Sequence, residues 1–124
     1  DCMVLPSYRE GISRVLMEAA SMEKPIIATN VTGCREVIND GETGFLCKVK
    51  SPVDLAHKMA KIINMTEKEK VVMGQKGRVK VIEEMDLEKI IDIYDYKIAA
   101  VLGEKEGITV DLQELISLRK TKKI

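Results

Sequence analysis

Tryptophan is absent, and the aromatic residues are few: Phe45, Tyr8, Tyr94 and Tyr96. So few rings exclude a surface built on stacking platforms for successive bases. Neither sign of charge is in excess, because 20 basic and 20 acidic residues cancel to a net charge of zero. A binder of the nucleic-acid backbone needs clustered Lys and Arg to displace counterions, so no nucleic-acid partner is expected. Cysteine is scarce and odd in number, and Cys2, Cys34 and Cys47 lack metal-ligand spacing, as does the lone His57. Free thiols in a reducing compartment fit this pattern, and neither a metal site nor a disulfide framework does. No apolar run is long enough to cross a bilayer, and no signal-peptide pattern is present. With 32% charged residues, the composition leads to the expectation of a cytoplasmic protein.

The 124 residues provide for one modest domain. The run begins "DCMVLP", already inside a strand and without an initiator Met, and is expected to be part of something larger. Residues 2–6 are uniformly apolar, as in a strand buried on both faces of a parallel sheet. A polar loop with Gly11 leads to a helical stripe between Ser13 and Met22, carried by Val15, Leu16, Ala19 and Ala20. Pro25 opens a second strand, "IIAT", "VTGCREVI" reads as a short helix, "NDGETG" as a turn and "FLCKV" as a third strand. Strand alternating with helix is the rhythm of a parallel α/β sheet, here with about three strands and flanking helices. Three further helices follow. Ser51 caps the first with Pro52 at its first position, and Thr66 caps the second, which runs to about Glu84. The third is "LEKIIDIYDYKIAAVL", punctuated by Gly103 and Gly107. Residues 103–124 form a C-terminal extension, helical from 111 to 118 and capped by Asp111 with Glu114 three residues on.

In such sheets ligands bind at the carboxyl ends of strands, and "SYREG" occupies that position before the first helix. A helix start offers unpaired N–H groups and a positive dipole end to phosphate. Gly11 keeps a side chain out of the way of a bulky anion. Glu10 would meet neutral hydroxyls in preference to phosphate, since two negative charges repel. Glu18 lies five residues beyond Ser13, about 8 Å along the helix axis. An extended ligand with hydroxyls on both sides of a diphosphate, such as a nucleotide sugar, would fit both carboxylates. Taken alone, a loop Glu and a helix Glu are usually solvated charges, although the apolar surround of Glu18 makes an idle carboxylate somewhat costly. Spacing alone favours the solvated-charge reading.

The ordered set of pieces adds to this. The strand ending at Pro6 and Ser7, the E-x(7)-E pair Glu10 and Glu18, Ala19, Pro25, Gly33 with Glu36, the Asp40–Gly41 turn and "GFL" at 44–46 resemble the C-terminal donor domain of glycosyltransferase family 4, the retaining GT-B enzymes. The resemblance covers about residues 1–102 and is densest to about 50. It implies half of a Rossmann-like GT-B C-terminal domain. It also implies transfer of a hexose-type sugar from a nucleotide diphosphate sugar, without a metal or other cofactor, to a saccharide or polyprenyl-linked acceptor. Under it Glu10 is the catalytic-site carboxylate on the donor sugar, Glu18 holds the ribose, and Gly11, Ile12 and Ser13 present backbone amides to the diphosphate. Arg14 matches the "EG-x-x-R" variant of capsule and lipid-linked polysaccharide enzymes, which implies peripheral contact with the inner membrane surface. Thr32 stands where many relatives have the first of two glycines.

The acceptor-binding N-terminal domain and the first half of the donor domain, with the basic pair that neutralises the leaving diphosphate, have no counterpart here. The stretch by itself is therefore expected to be inactive. The edge at residues 2–5 is expected to pair with another copy or to be covered by the C-terminal tail. A non-catalytic nucleotide-binding or assembly module is the alternative.

Overall fold

The computed structural model describes residues 1–106, which fall in two compact units, one of Asp1–Glu84 and one beginning at Met85. The first unit runs β1 (Met3–Leu5), α1 (Arg14–Ser21), β2 (Ile26–Thr29), α2 (Thr32–Arg35), β3 (Phe45–Cys47), α3 (Pro52–Asn64) and α4 (Glu67–Glu84). The three strands are parallel in the order β1-β2-β3, with Met3 opposite Ile26 and Ile27 opposite Phe45.

The expected α/β sheet of three parallel strands with flanking helices is thus the observed one. β2 is buried at all four residues, as an unbroken apolar run in a central parallel strand should be. Alternation sends Ile27 to one face and Ile26 and Ala28 to the other. Ile27 meets Ile62 of α3 and Met73 of α4, with Val4, Phe45 and Leu55 packed around them. α1 covers β1 and β2 and buries Leu16 and Ala20, one helical turn apart. β1 has β2 along one side, and no described strand lies along the other. The extension read as helical at 111–118 and the tail expected to cover this edge both lie outside the described residues.

The capping signals act locally and appear where the sequence puts them. The Ser51 hydroxyl accepts from the Asp54 amide at 3.3 Å, with Pro52 opening α3. The Thr66 and Glu69 amides each donate to the other residue's side chain, at 2.7 and 3.3 Å, a reciprocal capping box at the start of α4. Hydrogen bonds from Thr66 hold the Glu69 carboxyl below its usual range.

α1 ends where Glu23 turns into the left-handed region at φ 56°, its amide donating to the Ala20 carbonyl at 2.9 Å and that of Lys24 to Ala19 at 3.0 Å. α4 grips this turn. A Cβ on Gly74 would stand 1.9 Å from the Glu23 carbonyl oxygen, so the two backbones touch. The Arg78 guanidinium donates to the Ser21 carbonyl, and its Nε lies 3.8 Å from Glu23 Oε1.

In the second unit α5 (Leu87–Glu106) begins after Asp86, whose carboxylate accepts from the Glu88 amide at 2.7 Å. α5 continues through Gly103 to Glu106 and does not stop at the first glycine. An interior Gly weakens a helix by only about 1 kcal/mol relative to Ala, and the flanking Ala, Leu, Glu and Lys residues are strong helix formers.

Gly74→Ala is expected to destabilise the first unit by about 1–3 kcal/mol through overpacking. Gly77→Ala, whose Cβ would find its nearest neighbour at 3.6 Å, is expected to be tolerated. Urea unfolding of the two variants measures the difference.

Candidate functional site

The segment between β1 and α1 carries the residues singled out by the sequence, and its shape comes from β2 and α2. Thr29, 3% exposed at the end of β2, donates its hydroxyl hydrogen bond to the Ser7 carbonyl. The Ser7 hydroxyl in turn donates to Glu10 Oε1 at 2.6 Å. Two bonds in series therefore tie the carboxylate of Glu10 to the carboxyl end of the central strand. No described side chain takes its Oε2, which leaves that oxygen for a ligand hydroxyl.

α2 supplies the floor of the loop. A Cβ on Gly33 would lie 1.7 Å from the Gly11 carbonyl oxygen and 2.8 Å from that of Glu10. Only a glycine allows the loop to rest directly on the helix. Cys34, the next residue, is wholly buried. Its thiol titrates above the usual value, first because it is desolvated and then because the charge of Glu10 is near, against a hydrogen bond with Thr29 that acts the other way. Such a thiol is a packing element, not a nucleophile.

On the outward side the loop is open. A Cβ on Gly11 would meet nothing within 4 Å, and Ile12 is 59% exposed. Ser13 is buried and extended at φ −79° and ψ 107° as the N-cap of α1, yet its side chain makes no cap hydrogen bond. No acidic residue occupies the first turn either. Among the described residues the first-turn amides of α1 thus have no side-chain acceptor, whereas those of α3 and α4 do. Arg14 is exposed and in no ion pair among the described residues. The arrangement can receive an anion at the helix start with hydroxyl groups beside it.

Glu10, Gly11, Ile12, Ser13 and Arg14 are brought together by contiguity. Glu18 stands one turn further along α1, on the face it shares with Arg14. It is exposed and lines a separate groove of about 450 Å³ beside β1, with Cys2, Met3, Val15 and Met22. The two carboxylates therefore serve different stretches of surface. Among the described residues no group of His, Cys, Asp and Glu is placed to hold a metal ion.

Thr29 escapes a reading of the sequence, and Ser7 enters it only as the end of the first strand, without its bond to Glu10. Ser7 precedes Glu10 by three residues, the spacing at which a hydroxyl reaches a carboxylate across a turn, and Thr29 is the one polar residue closing the "IIAT" run. Both signals are present, but neither is specific.

Residues 1–80 match the family model for glycosyl transferases group 1. The chain is 35% identical over 104 residues to the capsular polysaccharide biosynthesis glycosyltransferase CapM of Staphylococcus aureus, a match covering 84% of this chain and 27% of that protein. To the N-acetyl-alpha-D-glucosaminyl L-malate synthase of Bacillus anthracis it is 36% identical over 95 residues, covering 77% and 25%. Among solved structures it is similar to sucrose-phosphate synthase from Thermosynechococcus elongatus, with a TM-score of 0.69 and 28% identity over 78% of this chain and 25% of that one. HepE from Anabaena in complex with UDP superposes with a TM-score of 0.75 over 81% of this chain and 28% of that one. At 22% identity this last likeness concerns the fold alone. The chain spans about a quarter of the length of these relatives.

Gly33→Ala is expected to lower stability by about 1–3 kcal/mol, because backbone must move away from the new methyl. Gly11→Ala is expected to stay within about 0.5 kcal/mol of the parent, as an open surface change. Thermal unfolding of the pair distinguishes the glycine that the fold requires from the one it does not.

Proposed function

The chain belongs to the glycosyl transferases group 1 family, and we propose that it is the donor-binding part of a retaining enzyme of glycosyltransferase family 4. The donor is a nucleotide diphosphate sugar of the hexose type, used as substrate with no resident cofactor. The acceptor is a saccharide or a polyprenyl-linked saccharide. The observation that carries this reading is the open loop at residues 10–13, with a tethered carboxylate at one end and an uncapped helix start at the other. HepE, which shares this fold, has been solved with UDP and with UDP-glucose.

In this reading the diphosphate lies against the Gly11–Ser13 backbone and the first-turn amides of α1, where the helix dipole favours negative charge. Glu10, its Oε1 held by Ser7, directs Oε2 at hydroxyls of the donor sugar and fixes the reacting carbon. Glu18, a turn along the helix, takes the ribose hydroxyls. Arg14 flanks the phosphates. Sugar transfer loads negative charge on the departing diphosphate, and more cations than this stretch places there are needed to stabilise it. The family resemblance assigns them to the preceding half of the donor domain, so the stretch alone is proposed to be inactive. The enzyme works in the cytoplasm, with peripheral contact at the inner membrane surface when the acceptor is lipid-linked. The β1 edge, which no described strand covers, is proposed as a place for pairing with another copy.

Donor kinetics of the complete enzyme test these roles. Glu10→Ala is expected to lower kcat about 100-fold or more. Glu18→Ala is expected to raise the donor KM about tenfold, as loss of charge-assisted hydrogen bonds to a diol does. Unchanged donor affinity and turnover in both variants would rule the assignment out.

A further inference from the structure

On the same end of the sheet, past Tyr8, lies a cavity of about 380 Å³ whose floor is Thr29 at the end of β2 and Cys47 at the end of β3. Its walls are Tyr8, from the loop that carries Glu10, and Lys48, Lys50 and Ser51, from the turn into α3. The volume is that of small-molecule pockets, and the carboxyl ends of parallel strands are where such ligands bind. None of the functions given to Glu10 through Glu18 uses it.

The polar groups converge in a way that packing does not require. Lys50 is held in the left-handed region at φ 57°, where a non-glycine residue is strained. Its Nζ stands 5.6 Å from the centroid of the Tyr8 ring, which is itself 64% exposed. Asp54, the acid of the adjoining helix turn, accepts from the Lys48 amide at 2.7 Å and is thereby turned to the backbone. Neither Lys48 nor Lys50 forms an ion pair among the described residues. The cavity is therefore lined by two lysines in no ion pair among the described residues, a serine and an exposed tyrosine ring. No acidic residue is in the lining itself, although the Asp54 charge is near enough to Cys47 on the floor to raise that thiol's titration, after burial does.

We infer that this cavity is a second ligand subsite, taking a phosphate-bearing saccharide. Lys48 and Lys50 hold the phosphate, Ser51 donates to it, and the sugar ring lies on Tyr8. An exposed cation–π contact is weak, so a phosphate readily draws Lys50 from the ring and uncovers the aromatic face for the sugar. Tyr8 is two residues from Glu10 and Thr29 of the floor bonds to Ser7, so the cavity adjoins the proposed donor seat, and we assign it to the acceptor. To that extent the inference rests on the transferase reading, and it narrows the acceptor to one carrying a phosphate. A soluble sugar phosphate and a prenyl-linked one share this chemistry.

The test is binding to the complete protein, by calorimetry, of glucose 6-phosphate, citronellyl phosphate, glucose, UDP, GDP and ADP. The parent protein is expected to bind one or both phosphate compounds and to bind glucose at least tenfold more weakly. In the Lys48→Ala/Lys50→Ala variant the phosphate compound is expected to weaken at least tenfold, with recovery in Lys48→Arg/Lys50→Arg, while UDP affinity stays unchanged. Preference for glucose 6-phosphate supports a soluble acceptor, and preference for citronellyl phosphate a lipid-linked one. Binding that does not change in the double variant, or is equal for glucose, overturns the subsite. If UDP binds and neither phosphate compound does, the subsite falls and the transferase reading stands. If UDP, GDP and ADP all fail to bind as well, that reading falls with it.

Discussion

The missing side chain of Gly33 is the constraint on which the site depends. A methyl there would overlap the carbonyl oxygen of Gly11, so the loop reaches its position only because α2 offers bare backbone beneath it. From that contact the other features follow. With the loop seated, Thr29 reaches the Ser7 carbonyl and Ser7 reaches Glu10. α1 then starts after Ser13, whose side chain makes no cap hydrogen bond. Gly74 repeats the device at the opposite end of α1, where α4 touches the Glu23 carbonyl. One short helix is thus held at both ends by glycine contacts, and its start is fixed relative to the sheet without any side-chain cap.

The separation of Glu10 and Glu18 has a physical reading in the same terms. Glu10 is half-buried and tethered, beside a buried thiol whose titration it shifts, so its position is determined before any ligand arrives. Glu18 is exposed on the helix flank and borders a groove at the β1 edge. A preorganised carboxylate is suited to the reacting sugar, where small displacements are costly in rate. A carboxylate on an open flank is suited to a part of the donor that needs affinity more than precision.

Much of the fold was legible because its signals are local. Ser51 with Pro52, and Thr66 with Glu69, mark helix starts through hydrogen bonds made within one turn. The run "IIAT" marks a central strand by its lack of alternation. Gly103 misled for the same reason: read locally it ends a helix, yet the flanking residues carry α5 past it. In the site, Glu10, Gly11 and Glu18 stood out through spacing and family resemblance. Ser7, Thr29 and the function of Gly33 did not, because their partners come from segments that only the folded sheet brings together.

The loop on Gly33 and the uncapped start of α1 are the proposed seat of the donor diphosphate. A crystal structure of the complete protein with UDP would decide it. The β-phosphate is expected within hydrogen-bonding distance of the Gly11–Ser13 backbone or the first-turn amides of α1, with the ribose hydroxyls on the Glu18 carboxylate. UDP bound elsewhere, with the loop at residues 10–13 left empty, would contradict it.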